Sequence, residues 1–146
     1  MCASAYYSAL IVTKPGIYYF YHGVYMIINE SSENYLETIL LLSRRLPVVR
    51  SVDIANELGF KKSSVSIAMK NLREKNHITV TESGFIYLTD EGRVIAERTY
   101  ERHEFFSEWL RRMGVDGKTA DEDACKMEHV ISEESFKAIK NFVNKS

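Results

Sequence analysis

The chain has 146 residues, a mass of 16.9 kDa and a formal net charge of -1, which bounds it to one domain or one small domain with an appendage. Its 45% hydrophobic and 27% charged content excludes wholesale disorder, and two cysteines, Cys2 and Cys125, exclude a disulfide framework. Taken whole, near-neutrality gives no sign of nucleic acid or of an acidic tail; the outlying figure is the 12% aromatic share, with nine tyrosines.

Residues 1–30 form an aromatic extension. Tyr6, Tyr7, Tyr18, Tyr19, Phe20, Tyr21 and Tyr25 stand there with Lys14 as the one charge before position 26. Ile17 to Tyr21 can make a short strand. Met26 precedes the first regular pattern, so the segment reads either as a poorly ordered arm or as an upstream mis-start. The apolar run Ser8 to Val12 is short, lacks a preceding basic region and is followed by Lys14, Pro15 and Gly16. It suits neither a signal peptide nor a membrane span, and a cytoplasmic protein is expected.

From residue 31 the pattern is regular. Ser31 or Ser32 caps a helix over residues 33–43, whose apolar face is Tyr35, Leu36, Ile39, Leu40 and Leu42. Ser51 caps a short helix ending at Gly59. Ser63 or Ser64 caps the next, which runs to about Lys75 and buries Val65, Met69 and Leu72. Residues 77–81 and 85–88 are β-favouring runs around Glu82, Ser83 and Gly84, a hairpin. Thr89, Asp90 and Glu91 start a long helix that Gly114 stops. Further helices span residues 119–131 and, after Ser132, run through Phe142.

Helix, short helix, glycine turn, longer helix and hairpin make a winged helix-turn-helix over residues 31–90. Small Ala55 sits at the crossing of the two helices, Gly59 makes the turn, and Val65 and Leu72 fill the shared core. Residues 91–146 form a second, helical part, so the fold class is mainly α. Charge is uneven along the chain. Residues 43–75 hold eight basic against three acidic residues, net +5, while residues 1–42 carry -2 and residues 76–146 carry -4. The basic segment is the one predicted to meet phosphate. The DNA-facing residues are expected to be Lys61, Lys62, Ser63, Ser64, Ser66, Ile67, Lys70 and Arg73, with Ser83 at the wing tip. Ile67 reads either as a contact to thymine methyl groups or as a lone surface apolar residue.

A second motif is Cys125-x-x-Glu128-His129, which puts thiolate, carboxylate and imidazole on one helix face. Alone it fits better a buried cysteine beside a solvated pair. His103 stands on the apolar side of the long helix, and Asn34 and Glu37 flank the buried stripe of the first helix. Three helices therefore offer amide, carboxylate, imidazole and thiolate donors.

From about Ser32 to Val143 the chain resembles the diphtheria toxin repressor family of metal-dependent transcriptional regulators, and most of all its short manganese-transport-regulator branch. The resemblance rests on Glu33-Asn34-Tyr35-Leu36-Glu37, Val52-Asp53-Ile54-Ala55, Ser63-Ser64-Val65-Ser66, Leu88-Thr89-x-x-Gly92, Arg102-His103-Glu104 and Cys125-x-x-Glu128-His129. It implies a helical dimerisation domain behind the winged helix, a homodimer, and binding to a double-stranded DNA operator activated by Mn²⁺ or Fe²⁺. Carried over by position, His103, Glu128 and His129 match family metal ligands and Glu37 matches the manganese branch. Asn34 stands where that branch has aspartate and the iron branch methionine. Cys125 stands where the iron branch has cysteine and the manganese branch glutamate. The thiolate favours Fe²⁺, Co²⁺, Ni²⁺ or Zn²⁺ over Mn²⁺. Asp121 or Glu104 can join a second ion. The expectation is a regulator of metal-ion homeostasis, a repressor rather than an enzyme, since no oxyanion loop accompanies Cys125. The alternative is a metal-independent winged-helix regulator that senses redox state through Cys125 or binds a small ligand.

Overall fold

The computed structural model describes residues 11–13, 16–21, 24–27 and 30–145. Two compact units separate, Met1–Glu30 and Ser31–Ser146. In the first, β1 (Ile11–Thr13), β2 (Gly16–Tyr21) and β3 (Val24–Ile27) pair antiparallel in chain order, with Ile11 opposite Tyr18 and Tyr19 opposite Met26. The strand expected at Ile17 to Tyr21 is therefore the centre of a three-stranded meander. Tyr6 and Tyr7 lie outside the described residues.

The second unit is mostly helical: α1 (Glu30–Arg45), α2 (Ser51–Leu58), α3 (Lys62–Glu74), the hairpin β4 (Ile78–Val80) and β5 (Ile86–Leu88), then α4 (Asp90–Arg112), α5 (Gly117–Val130) and α6 (Glu133–Val143). The expected face of α1 is buried as a block, with Tyr35, Leu36, Ile39, Leu40 and Leu42 packing on Ile54, Ala55, Val65, Met69 and Leu72. Gly59 takes φ 65 and closes α2 with its N–H on the Ala55 carbonyl, a left-handed turn that a side chain would strain. Ile78 and Ile86 seal the hairpin onto the same core. The Ile86 N–H also donates to the Val49 carbonyl at 2.8 Å, adding the stretch before α2 as a bridge to the wing sheet. A smaller core of Phe106, Ala124 and Phe136, ringed by Phe105, Trp109, Met127 and Ile131, holds α4, α5 and α6 together.

Three helix starts differ from the sequence reading. α1 opens at Glu30, ahead of Ser31 and Ser32. α2 has Arg50, not Ser51, at its N-cap; the Asp53 carboxylate reaches back to accept the Arg50 N–H at 2.8 Å. α3 begins after Lys61, so Ser63 and Ser64 lie inside its first turn, and Ser66 bonds the Lys62 carbonyl. A serine at a helix start suggests a cap because its oxygen can accept an N–H. Here an acidic residue at the third position and ordinary extended backbone suffice. The caps of Thr89 on α4 and Ser132 on α6 occur as expected, while α5 starts two residues earlier than predicted, capped by Asp116.

Candidate metal centre

α1, α4 and α5 converge on a small polar interior. Glu128 of α5 is at its centre, with its side chain 0% exposed. Its Oε2 lies 2.8 Å from Nδ1 of His103 on α4, and its Oε1 lies 3.1 Å from Nε2 of His129, one residue on. Glu37 of α1, itself 7% exposed, faces the same point. Ligand atoms of Glu37, His103 and Glu128 lie within 4.8 Å of one another, and so do those of Cys125, Glu128 and His129. Glu128 is common to both groups. The structure thus brings together five of the six proposed ligands. Asn34 stands half-buried one turn before Glu37 on α1, its backbone carbonyl accepting the Thr38 hydroxyl at 2.8 Å.

The electrostatics are those of a crowded acidic site with too few cations. Burial, reinforced by the nearby Glu128 carboxylate, pushes the Glu37 carboxyl up to about 7. The hydrogen bond to Glu128 raises His103 above the ordinary imidazole value, against the opposing effect of burial. Burial opposes charging of His129, yet Glu128 and Glu33 outweigh it and raise its pKa to about 9. Glu128 Oε1 is buried and, despite its closeness to His129, has no hydrogen-bond partner. A buried carboxylate oxygen left without a donor is costly. Two carboxylates, two imidazoles and a thiol around that oxygen fit a divalent cation by donor chemistry: oxygen and nitrogen suit Mn²⁺ and Fe²⁺, and sulfur shifts the preference to softer ions.

Two residues outside the expected ligand set belong to this region. Glu33 accepts a hydrogen bond from Nδ1 of His129 at 2.9 Å and one from Arg98 of α4 at 2.8 Å. Its spacing of four from Glu37 puts both on one face of α1, the signal that was available. Arg102 is buried, and its guanidinium donates to the carbonyls of Glu128 and Ile131 and to the Glu133 carboxylate, at 3.1, 3.0 and 2.7 Å. Asp121 and Glu104, suggested for a second ion, line a cleft with His103, Ser107, Glu108 and Arg111. There the Asp121 carboxylate is already taken by the Ser107 hydroxyl and by both contacts to Arg111, 2.8 and 2.6 Å long, and these hold its pKa low.

At the other end of the unit, Lys61, Lys62, Ser63, Ser64, Ser66, Ile67, Lys70 and Arg73 are all exposed along α3, as is Ser83 at the wing tip. Ile67 is 63% exposed, while Val65, Met69 and Leu72 on the opposite side of α3 are in the core. The helix therefore presents one uninterrupted polar and basic face carrying a single apolar side chain.

Two family descriptions match the chain. Residues 28–83 match "Iron dependent repressor, N-terminal DNA binding domain", and residues 89–146 match "Iron dependent repressor, metal binding and dimerisation domain". The chain is 34% identical over 116 residues to the transcriptional regulator MntR of Escherichia coli O6:H1, covering 80% of this chain and 75% of that protein. It is 31% identical over 119 residues to an uncharacterized HTH-type transcriptional regulator of Methanocaldococcus jannaschii, covering 80% and 95%. Among solved structures, it superposes on a hypothetical protein of Sulfolobus solfataricus with a TM-score of 0.62 at 25% identity, covering 80% and 89%. It superposes on T. acidophilum IdeR with a TM-score of 0.65 at 28% identity, covering 75% of this chain and 53% of that one. With both halves matched and donors from both converging, the chain belongs to the iron-dependent (diphtheria toxin) repressor family of metal-dependent transcriptional regulators, on its manganese-regulator side.

Proposed function

We propose that the chain is a metal-responsive repressor of metal-ion homeostasis genes, acting in the cytoplasm as a homodimer on an operator. Glu37, His103, Cys125, Glu128 and His129 are its ligands, with Asn34 as a neutral sixth donor. α3 is its recognition helix, with Lys61, Lys62, Ser63, Ser64, Ser66, Ile67, Lys70 and Arg73 facing DNA and Ser83 reaching from the wing. The reading divides the second unit near Asp90 into a DNA-binding part and a metal-binding, dimerising part. The observation that carries it is the buried Oε1 of Glu128, which lacks a hydrogen-bond partner amid donors from three helices, one of which, α1, is the scaffold of the DNA-binding core.

A divalent cation bound there supplies the positive charge that these carboxylates lack. The residues themselves do the coupling. Glu37 belongs to the helix on which α2 and α3 pack, His103 to the long connecting helix, and Cys125, Glu128 and His129 to the dimerising part. Drawing the donors together fixes the orientation of each α3 within the dimer. Operator half-sites read by two such helices lie about one helical turn, roughly 34 Å, apart. Cys125 lies within ligand distance of Glu128 and His129, which supports a ligand role over a separate redox sensor.

The test is selection of bound duplexes from a random DNA pool with Mn²⁺ present, followed by gel shifts with and without EDTA. Metal-dependent shifting, lost in Glu128→Ala and in His103→Ala proteins that still fold, is the expected result. Shifting that ignores EDTA, or that depends on peroxide and disappears in Cys125→Ser, would overturn it in favour of the metal-independent regulator.

A further inference from the structure

We propose that Glu33 is a positioning residue for the metal site: it accepts the Nδ1–H of His129 and so reserves Nε2 of that imidazole for the ion. The inference rests on the reading of the site given above. It starts from the way the His129 ring is suspended between two carboxylates on different helices. Nδ1 points to Glu33 Oε2 on α1, 2.9 Å away, and Nε2 points to Glu128 Oε1 on α5, 3.1 Å away. The ring is 1% exposed, so water does not compete for either nitrogen. Only the Nε2 side opens onto the carboxylate oxygen that lacks a hydrogen-bond partner. An imidazole can hold a metal through one nitrogen while donating from the other, and a carboxylate acceptor fixes which is which.

Glu33 is itself held. Its other oxygen takes a hydrogen bond from Arg98 at 2.8 Å, and its side chain is 23% exposed, so it is oriented from the α4 side. The chain Arg98–Glu33–His129 runs across α4, α1 and α5 and contains no proposed metal ligand other than His129. Glu33 thus acts through His129 without touching the ion. Because it sits on α1, its contact links the register of the DNA-binding scaffold to the orientation of a ligand on α5.

The experiment uses the full chain and Co²⁺ as the probe, whose visible absorption reports thiolate and nitrogen ligation and whose paramagnetism shifts ligand protons. Wild type, Glu33→Ala, Glu33→Gln and Arg98→Ala are titrated by absorption and calorimetry, with thermal melts of the metal-free proteins confirming folding. Glu33→Ala is expected to weaken Co²⁺ binding by about 10- to 100-fold. Glu33→Gln retains an oxygen that can accept Nδ1–H and should fall between it and wild type. Arg98→Ala removes the helix-pinning half of the contact and should cost less than about threefold. Proton NMR of the Co²⁺ form in water should show a strongly shifted exchangeable imidazole N–H from His129, absent in deuterated solvent and lost to exchange in Glu33→Ala. Equal losses in Glu33→Ala and Arg98→Ala would reduce Glu33 to a helix pin and overturn the assignment, as would an unchanged shifted N–H in Glu33→Ala. A wild-type chain that takes up no Co²⁺ would overturn the metal site first, and the role of Glu33 with it.

Discussion

The side chains that meet at Glu128 carry protons which an ion must displace, and this sets a direction for pH. Glu37 at about 7 and His129 at about 9 both lie above their ordinary values, and His103 is raised as well. A group whose folded pKa is raised stabilises the fold below its unfolded pKa and loses that contribution as pH climbs through the folded value. For Glu37 the loss spans roughly the interval from its ordinary value of 4.5 to about 7, and for His129 from 6.5 to about 9. The metal-free protein should therefore melt at progressively lower temperature between pH 5 and pH 9, while metal affinity rises over the same range because fewer protons need displacing. Calorimetric titration with Mn²⁺ in buffers of differing ionisation enthalpy measures the protons released; no release at pH 7 would contradict raised pKa values for Glu37 and His129. Arg102 makes a separate prediction. Three of its guanidinium contacts fasten α4 to the end of α5 and the start of α6, and the group also lies 5.4 Å from the centre of the Phe136 ring. Arg102→Ala should destabilise the protein by about 3 kcal/mol, since it strips buried carbonyls of a charged donor. Arg102→Lys should recover only part of that, because an ammonium cannot match the planar fork. Urea unfolding of the metal-free chain reads both.

Among the elements, the join between the hairpin and α4 leaves no room for a side chain at Gly92. A Cβ on Gly92 would stand 1.9 Å from the carbonyl oxygen of His77, which is backbone and already accepts the Thr89 N–H at 3.0 Å. Gly92→Ala must therefore push the first turn of α4 away from His77, at a cost of about 3 kcal/mol, the upper end of the usual range for overpacking. If its urea midpoint matched wild type, that close approach would be disproved. On α3, Lys62→Ala and Lys70→Ala should each lower DNA affinity at every sequence and reduce the salt dependence by about one phosphate contact, whereas Ile67→Ser should act only at sites with thymine opposite it. Fluorescence anisotropy at several salt concentrations separates the two behaviours. These elements were largely legible from residue order alone, because the periodicities of α1, α3 and α4 are set by burial on one side. The caps were less so: a serine near a helix start is a frequent cap, but Arg50 with Asp53, and Lys61 alone, occupy those places. Within the site, Cys125, Glu128 and His129 announce themselves by lying on one helix. Glu33 does not, because its partners are 65 and 96 residues away, and only the packing of α1 on α4 and α5 unites them.

At the scale of the whole molecule, the near-neutral charge conceals a division of labour. A segment of net +5 includes the proposed DNA-facing residues, and the remaining -6 includes the carboxylates of the proposed metal site. The two ends of the second unit share α1, whose apolar face builds the core under α3 and whose Glu33 and Glu37 face the metal centre. Any ion that favours one setting of α1 must therefore alter DNA binding, and linkage makes the effect mutual. Its size is bounded. At free metal of about 100 times Kd, one site stabilises its bound arrangement by about 2.7 kcal/mol. Two independent sites in a dimer thus allow at most about 5.4 kcal/mol, near a 10⁴-fold gain in operator affinity at that metal level. The reverse titration tests the coupling directly. Adding saturating operator should tighten metal binding so that the factors for the two sites, multiplied together, equal the gain in DNA affinity between metal-free and metal-saturated dimer. Metal titrations followed by calorimetry with and without the selected duplex give one side of this equality, and anisotropy with and without EDTA gives the other. A mutual gain that vanishes once protein concentration is high enough to keep the metal-free chain dimeric would show that the ion acts on assembly of the dimer and not on the setting of α1.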